Sequence, residues 1–298
     1  MSSIAHQLLG LYCETPLHAG GGAKEAVIDL PIQREAHTGW PCVYGSAMKG
    51  ALRACAEQRA VDRTLIEQAF GPDTLNANDH AGALLVSDAR LLLLPVRSLT
   101  SHFKWVCCPA LLRRLLSDLA RTGQRQTSLS VPQLPGEQLL SADAQTQTEL
   151  YLEEFRFTVQ AWPQAEAWLD LINQVLGEMP GMAPSEQRAL LQRQLVVVDD
   201  DSFAHLCRSA LPILPHIRIN SETKTVEQGA LWYEENLPAD SVLYIALSCQ
   251  PSRKPDHPEL AQKLLDKVLT ALLAHPYIQI GGNETTGMGW CRVVRGGR

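Results

Sequence analysis

Residues 15–53 read TPLHAGGGAKEAVIDLPIQREAHTGWPCVYGSAMKGALR, and this stretch says more about the fold than any other part of the chain. It contains a glycine triplet, one acidic residue inside an apolar run, a proline-broken polar loop and a Gly-Ser turn that opens a basic helix. Backbone N–H groups in glycine loops and at helix N-termini hold anions. The stretch therefore predicts a backbone-lined groove for a polyanion.

The segments on either side of the glycine triplet predict the opening unit of the fold. Residues 4–14 have the β-branched and aromatic content of a strand. Residues 46–59 place Met48, Leu52 and Cys55 at the spacing of a helix with one apolar face. The chain is thus expected to begin with a strand that runs into a helix through a glycine loop.

Hydrophobic periodicity predicts that strands and helices continue to alternate along the chain. Strands are predicted at residues 83–94, 103–108, 151–161, 213–220, 225–232, 241–249, 277–280 and 290–294, and helices from 109 onward and at 164–176, 185–195 and 258–274, the third of these followed by an apolar run at 195–198. Residues 221–224 are the expected turn of a β-hairpin. Residues 121–148 are rich in Gln, Ser, Thr and Pro, which predicts a solvated loop or a mobile insertion.

This order of elements predicts an α+β fold, with a ferredoxin-like or RNA-recognition-type sheet enlarged by insertions. A doubly wound parallel sheet fits less well. Its phosphate fingerprint places glycines at GxGxxG spacing after a strand, whereas Gly20, Gly21 and Gly22 are consecutive and precede Ala-Lys-Glu. The sequence also contains no GxxxxGK[ST] motif.

Composition and charge limit the classes of function. The chain has 298 residues, 45% of them hydrophobic, which is enough for a sizeable core. Its formal net charge of −6 argues against a free-standing nucleic-acid binder, whose affinity comes mostly from Lys and Arg on phosphates. Any bound RNA is therefore expected to be gripped locally or together with partners.

Cysteine spacing and the N-terminal residues exclude further classes. Eight cysteines without a CxxC pair predict neither a zinc site nor a disulfide framework. The first residues, MSSIAHQLLGLYCE, lack the basic region and long apolar stretch of a signal peptide, and no run has the length to cross a bilayer. The sequence predicts a cytoplasmic protein without a membrane partner.

Three features are candidate anion sites. The glycine triplet and a second glycine loop at 281–289 lie between predicted elements, and two such loops are able to border one groove; the alternative is loose surface turns. Gly45-Ser46 opens a helix that carries Lys49 and Arg53 one turn apart on the same face. An ordinary helix cap with a solvated basic stripe is the other interpretation.

Asp29 and His18 are the candidate catalytic side chains. Asp29 lies in an apolar run, and Pro31 prevents regular strand pairing through the segment. Its carboxylate is suited to accept a proton from a ribose hydroxyl or to hold a divalent cation near a phosphate; alternatively it caps a turn before Pro31. His18 adjoins the glycine triplet and is either a second acid or base or a hydrogen-bonded structural residue.

The chain resembles the backbone ribonuclease subunits of Cmr complexes, the type III-B CRISPR effectors, within the RAMP superfamily. The resemblance is carried in order by TPLHAGGG, VIDLPIQREAHTGWPCVYGSAMKGALR, FGPD, GALLVSDARLLLLPVRSL, FKWVCCP, INSETKTVEQGALWYEENLP and IQIGGNETTGMG. It covers nearly the whole length and is weakest at about residues 121–201.

The resemblance implies a hand-like fold. A single RAMP domain is expected over residues 1–298, with a palm on the RNA-recognition-type sheet, a helical finger insertion at about 109–201 and a β-hairpin thumb at about 216–237. Several copies are expected to form a filament along a CRISPR guide RNA together with other Cmr-type subunits. Each thumb is expected to push through the guide–target duplex.

The resemblance also implies an activity, a metal-dependent endoribonuclease that cleaves complementary target RNA at regular intervals. Asp29 matches the catalytic aspartate of the family and is expected to hold a divalent metal ion, Mg²⁺. His18 matches a position near the site. The residues expected to hold the guide-RNA backbone are Gly20, Gly21, Gly22, Gly45, Ser46, Lys49, Arg53, Gly281, Gly282 and Thr285.

Other interpretations stay open on the sequence. A structural RAMP subunit that scaffolds guide RNA without cutting is one alternative, and a guide-processing endonuclease of the same superfamily is another. A small-molecule enzyme on a ferredoxin-like sheet is a third. The sequence also leaves open whether Glu227, Glu234 or Glu235 of the predicted thumb assists Asp29.

Overall fold

The computed structural model describes residues 4–22, 27–73, 79–143 and 148–296. Within these ranges the strands are β1 (Ala5–Cys13), β2 (Cys42–Val43), β3 (Leu84–Val86), β4 (Ala89–Ser98), β5 (His102–Cys107), β6 (Gln138–Ser141), β7 (Glu149–Leu152), β8 (Phe155–Ala161), β9 (Leu195–Val198), β10 (Ile213–Ile219), β11 (Val226–Glu235), β12 (Val242–Cys249), β13 (Tyr277–Gln279) and β14 (Trp290–Arg295). The helices are α1 (Gly45–Gln58), α2 (Arg63–Phe70), α3 (Pro109–Arg121), α4 (Ala165–Leu176), α5 (Pro184–Gln194), α6 (Asp200–Ser209) and α7 (Ala261–Leu273).

Strand β1 lies in the middle of the antiparallel sheet that supports the site. It pairs with β12 on one side and with β14 on the other, and β4 continues the sheet beyond β12. Helices α1 and α7 contact this sheet, α1 at β13 and α7 at β1 and β12. The spatial order β14-β1-β12-β4, with these two helices, follows the β-α-β-β-α-β pattern. The predicted α+β class is confirmed.

A second part of the sheet closes into a barrel-like ring. The ring runs β4-β5-β9-β6-β8-β7, and it closes where Ser98 of β4 pairs with Leu152 of β7. Side chains from its strands are fully buried, including Leu139, Val197 and Trp105. The ring is therefore a packed core, built largely from residues of the segment 109–201.

The prediction of a solvated loop over 121–148 was wrong at its C-terminal end. Strand β6 lies between β8 and β9, pairing parallel with β8 and antiparallel with β9. Four residues with one apolar pair, Leu139 and Leu140, are too short a signal to stand out in a polar segment. Residues 144–147, which belong to the same predicted loop, lie outside the described residues.

Two predicted strands are each divided in the structure. Residues 83–94 form β3 and β4, because Ser87 leaves the ladder and its Oγ accepts the Ala246 N–H at 2.9 Å. Residues 151–161 form the end of β7 and all of β8, which are joined at Glu153 with a φ of 49°. Helices α2 and α6 and the two-residue strand β2 were not predicted. The other predicted strands and helices agree with the structure within a few residues.

Strands β10 and β11 form a two-stranded sheet of their own. Large apolar side chains along the hairpin are exposed, including Ile217 at 50% and Leu231 at 53%. Its root is different, since Glu234 and Glu235 at the end of β11 are both only 3% exposed. The hairpin thus projects from the fold and is anchored by two buried acids.

The structure also bears on the cysteines and on membrane insertion. All eight cysteines are free and buried. Burial raises the pKa of the Cys249 thiol to about 11, so these side chains pack as small apolar groups. Among the described residues, no helix combines the length and apolar character needed to cross a membrane.

Candidate active site

Four chain segments meet at the root of hairpin β10–β11. Leu17 pairs with Leu237 just beyond β11, and Gly20 pairs with Ile32. The carbonyl of His18 accepts the N–H of Gly282 at 2.8 Å, which brings the second glycine loop to the first. The structure therefore places both predicted glycine loops and the Asp29 segment side by side.

Asp29 is fixed by the backbone of the hairpin root. Its Oδ2 accepts the N–H of Tyr233 at 2.8 Å. The next residue, Leu30, donates its N–H to the Tyr233 carbonyl at 3.1 Å and accepts the N–H of Glu235 at 3.0 Å. Leu30 thus pairs in parallel with Glu234, and the pairing ends at Pro31, which has no N–H. Asp29 is half-buried. It is held against the hairpin by a hydrogen bond to a residue 204 positions later in the sequence.

His18 contacts the same stretch of the hairpin. Its side chain is buried, and Nδ1 lies 2.8 Å from the carbonyl oxygen of Glu235. A carbonyl oxygen only accepts hydrogen bonds, so Nδ1 carries a hydrogen and donates it, and Nε2 is the ring nitrogen that this hydrogen bond leaves free. A Cβ at Gly20 would lie 3.2 Å from Nε2, so a glycine at this position leaves room beside the free nitrogen.

Glu234 places a buried carboxylate between two histidines. Its Oε1 lies 3.9 Å from His18 Nδ1 and 3.9 Å from His216 Nε2. It accepts a hydrogen bond from Asn283 Nδ2 at 2.7 Å. The His216 ring stacks on Trp232 with centroids 5.3 Å apart. Glu234 is therefore a buried carboxylate that contacts two histidines and the second glycine loop at the hairpin root.

The glycine triplet runs alongside the Asp29 segment. The N–H of Gly21 donates to the Pro31 carbonyl at 2.7 Å, and Gln33 donates its backbone N–H to the Ala19 carbonyl at 2.7 Å. Gln33 also donates its side-chain N–H to the Gly20 carbonyl at 3.1 Å. Gly20, Gly21 and Gly22 are exposed, so the triplet forms an accessible wall next to Asp29.

The second glycine loop depends on Gly281. This residue has a φ of 83°, and a Cβ built on it would lie 2.3 Å from the His18 carbonyl oxygen. At Gly282 the added Cβ would lie 3.6 Å from the His18 ring, an ordinary contact. Gly282 and Thr285 are exposed, so this loop supplies a second accessible wall.

We expect Gly281→Ala to lower the free energy of unfolding by about 2 kcal/mol, because it adds both a strained φ and a collision with the His18 backbone. Gly282→Ala is the matched control and should change it by less than about 0.5 kcal/mol. Chemical denaturation of the two variants measures the difference. Equal stability of the two variants would show that the loop is not held against His18.

Two backbone N–H groups at the N-terminus of α1 already donate hydrogen bonds to side chains of the protein. The Gly45 N–H donates to Asp88 Oδ1 at 2.6 Å, and the Tyr44 N–H donates to Gln33 Oε1 at 2.6 Å. Ser46 is exposed. Anion binding by Gly45 and Ser46 stays a prediction, and any phosphate there shares the helix end with the Asp88 carboxylate.

The two cations of α1 have different surroundings. Arg53 forms ion pairs with Glu57 at 2.8 Å and with Asp73 at 2.7 Å. Burial, and secondarily the nearby Arg53 guanidinium, lowers the pKa of Lys49. Their predicted role in holding RNA is not tested by these contacts. Arg53 would have to exchange internal carboxylates for phosphates.

Sequence reasoning missed several residues that shape the site. Asn283 reaches Glu234 from a left-handed backbone position with a φ of 60°. Gln33 links the glycine triplet to the start of α1. The sequence signal for Asn283 is its place in a glycine loop, since Asn tolerates the left-handed region; for Gln33 no local signal exists.

Sequence comparisons with known proteins extend over nearly the whole chain. A sequence model of the RAMP superfamily matches residues 11–292. The chain is 36% identical over 290 residues to the Pyrococcus furiosus protein named CRISPR system Cmr endoribonuclease Cmr4, covering 96% of this chain and 94% of that protein. The Saccharolobus solfataricus protein named CRISPR system CMR subunit Cmr4 is 27% identical over 296 residues, with 92% and 91% covered.

Solved structures give the same result at the level of the fold. The crystal structure of oligomeric Cmr4 from Pyrococcus furiosus has a TM-score of 0.72 at 28% identity, and 98% of both chains is covered. A chain of the type III-B Cmr-beta complex bound to cognate target RNA has a TM-score of 0.73 at 21% identity, with 97% of this chain and 96% of that chain covered. The second likeness concerns the fold alone.

Proposed function

The chain belongs to the RAMP superfamily, and from this premise we propose that it is a CRISPR Cmr subunit that cleaves target RNA at Asp29. The observation that carries the proposal is the position of Asp29. This side chain is hydrogen-bonded to Tyr233 at the hairpin root and lies beside two exposed glycine loops. A polyanion lying along these loops would pass the Asp29 carboxylate. The relative from Pyrococcus furiosus is named as an endoribonuclease, which supports this activity.

The proposed assembly is a filament of several copies along a CRISPR guide RNA, together with other Cmr-type subunits. Hairpin β10–β11 is the proposed thumb, the β14-β1-β12-β4 sheet the palm, and the segment 109–201 the finger region. Exposed apolar side chains on the hairpin, such as Ile217 and Leu231, are suited to enter a base stack. The net charge of −6 fits a subunit that grips RNA locally. The cytoplasm is the proposed location.

The proposed reaction is a transesterification within the target RNA. The 2′-oxygen loses its proton and attacks the adjacent phosphorus, the bond from phosphorus to the 5′-oxygen breaks, and the 5′-oxygen takes a proton from water, so the products are a 2′,3′-cyclic phosphate and a 5′-hydroxyl. The Nδ1 of His18 is engaged with the Glu235 carbonyl, so Nε2 is the ring nitrogen proposed to accept the proton of the 2′-hydroxyl. DNA lacks this hydroxyl and is not a substrate.

Asp29 is the proposed holder of a divalent cation, Mg²⁺. The described residues contain no group of three or more His, Cys, Asp or Glu side chains arranged as metal ligands. A single carboxylate nevertheless fits Mg²⁺, which keeps several waters and is commonly bound by one or two carboxylates and substrate phosphates. When bound, the ion would neutralise charge on the scissile phosphate. The Tyr233 N–H holds the Asp29 side chain in place for this role.

The test uses the assembled guide-loaded complex and a labelled complementary RNA. We expect regularly spaced products in Mg²⁺, none with EDTA, and no cleavage of DNA of the same sequence. The 5′ fragments should end in a 2′,3′-cyclic phosphate. Target RNA that stays bound but uncut in Mg²⁺ would contradict the proposal and leave a guide-binding scaffold, and cleavage of isolated repeat RNA would indicate a guide-processing enzyme.

A further inference from the structure

The backbone of the Asp29 segment is paired with the root of hairpin β10–β11 on one side, and from Pro31 onward it is hydrogen-bonded to the glycine triplet on the other. Leu30 pairs with Tyr233 and Glu235 through two backbone hydrogen bonds of 3.1 and 3.0 Å. Val27, two residues before Asp29, is 89% exposed. The position of Asp29 therefore depends on the residues from Leu30 onward and on their attachment to β11.

The carboxylate of Glu235 strengthens this attachment from within the protein. Its Oε2 accepts the N–H of Ile32 at 3.1 Å, and its Oε1 accepts a hydrogen bond from Arg34 Nη2 at 2.5 Å. Arg34 also donates from Nη1 to the Gly39 carbonyl at 2.7 Å. The side chain of Glu235 is 4% exposed and that of Arg34 is 19% exposed. One buried carboxylate thus ties the loop to the hairpin at two points.

Because the ion pair between Glu235 and Arg34 is buried, each charged group depends on the other. Removing one partner leaves the other charged group buried without its counter-charge, which is far more costly than the loss of an exposed pair. The Ile32 N–H would lose its acceptor at the same time if the carboxylate turned away. Glu235 and Arg34 consequently hold the loop in one register on β11.

The hairpin is connected directly to the loop that carries Asp29. Strands β10 and β11 pair with each other in a sheet of their own, and their arms are exposed, as at Ile219 and Val226. The last residues of β11 carry both the buried acid Glu235 and the backbone that holds Asp29. Tyr233 and Glu235 therefore connect the hairpin arms to the Asp29 segment.

We propose that Glu235 and Arg34 are a positioning pair that couples the seating of hairpin β10–β11 on RNA to the placement of Asp29. This inference rests on the proposed function, because it assigns the pair to the cleavage reaction. The pair acts through the loop from Leu30 to Arg34, so cleavage is confined to positions where the hairpin is seated.

The first arm of the test measures the loop without any RNA. Hydrogen exchange of the full chain is followed on a peptide that covers residues 27–33, with β12 as the internal reference. Glu235→Gln, which keeps an acceptor for Ile32, and Arg34→Met should each raise exchange of this peptide by about tenfold or more. The matched control is Arg97→Gln, which removes the ion pair between the exposed Arg97 on β4 and Glu153 and should leave the peptide unchanged.

The second arm measures cleavage by guide-loaded complexes under single turnover. Each single variant should lower the cleavage rate constant by about tenfold to a hundredfold, since small misplacements of a reacting group cost this much. The dissociation constant for target RNA should stay within twofold of the unmodified complex. The double variant Glu235→Gln with Arg34→Met should be no slower than the slower single variant, because the two residues act as one unit.

The outcomes separate this proposal from the proposed function. Unchanged exchange in both single variants would overturn the coupling, whether or not the complex cuts RNA. Faster exchange with an unchanged cleavage rate, or weaker target binding as the main effect, would overturn the positioning role. If the unmodified complex cuts nothing, the proposed function fails, and with it the role in cleavage, while the exchange arm still tests the attachment. If a single variant fails to fold, the double variant, which buries neither charge, is measured in its place.

Discussion

Asp29→Asn is expected to lower the rate of target-RNA cleavage by about 10²- to 10⁴-fold, the range over which single acid–base or charge-stabilising groups act. The amide oxygen of asparagine still accepts the Tyr233 N–H that Asp29 Oδ2 accepts at 2.8 Å. The substitution therefore removes the charge of the side chain and keeps its seat. Assembly with guide RNA and the thermal unfolding transition should be unchanged.

The matched control for this variant is Asp62→Asn. Asp62 caps helix α2, and its Oδ1 accepts the Leu65 N–H at 3.0 Å, so the same change from carboxylate to amide is made at another backbone-bonded aspartate. Asparagine caps helices as well as aspartate does. Full activity of Asp62→Asn beside loss of activity in Asp29→Asn would assign the effect to the site. Equal loss in both would indicate a general effect on folding or assembly.

His18→Asn is expected to produce the second largest loss, a fall in the cleavage rate of about 10²-fold. The amide N–H₂ of asparagine occupies the place of Nδ1 and can keep the hydrogen bond to the Glu235 carbonyl, which is 2.8 Å long in the structure. Asparagine has no counterpart of Nε2. The variant therefore separates the structural hydrogen bond of His18 from its role as a base.

Binding and stability give a further readout for His18. In His18→Asn the dissociation constant for guide RNA and the unfolding temperature should stay the same while the cleavage rate constant falls. A variant that keeps the full rate would show that His18 is a structural residue, the alternative that the sequence left open.

Local sequence patterns predicted the parts of the fold that local physics decides. Strand β1, helix α1 and helix α3 follow from apolar periodicity and from Pro109 at the first helical position. The hairpin β10–β11 follows from two apolar runs around a polar turn. Strand β6 was missed because its four residues are stabilised by neighbours on both sides rather than by their own pattern.

The site was predictable only in part for the same reason. Asp29, His18 and the two glycine loops stood out as unusual residues within their own segments. Their grouping depends on contacts between distant segments, such as the pair between Arg34 and Glu235, which are 201 residues apart. Periodicity carries no information on such pairs. The placement of Asn283 against Glu234 likewise required the folded chain.

Residues around Asp29 are proposed to promote cleavage of the target RNA by the RNA's own 2′-hydroxyl. One map of the cleavage positions tests this reaction most directly. Guide-loaded complexes with the unmodified chain or with Asp29→Asn are given a complementary RNA in Mg²⁺, either all-ribose or with a 2′-deoxynucleotide on the 5′ side of one mapped cut. We predict that the deoxynucleotide removes that one product and leaves the others, and that Asp29→Asn removes all of them. Products that persist with Asp29→Asn, or a cut that survives at the deoxynucleotide, would contradict the account.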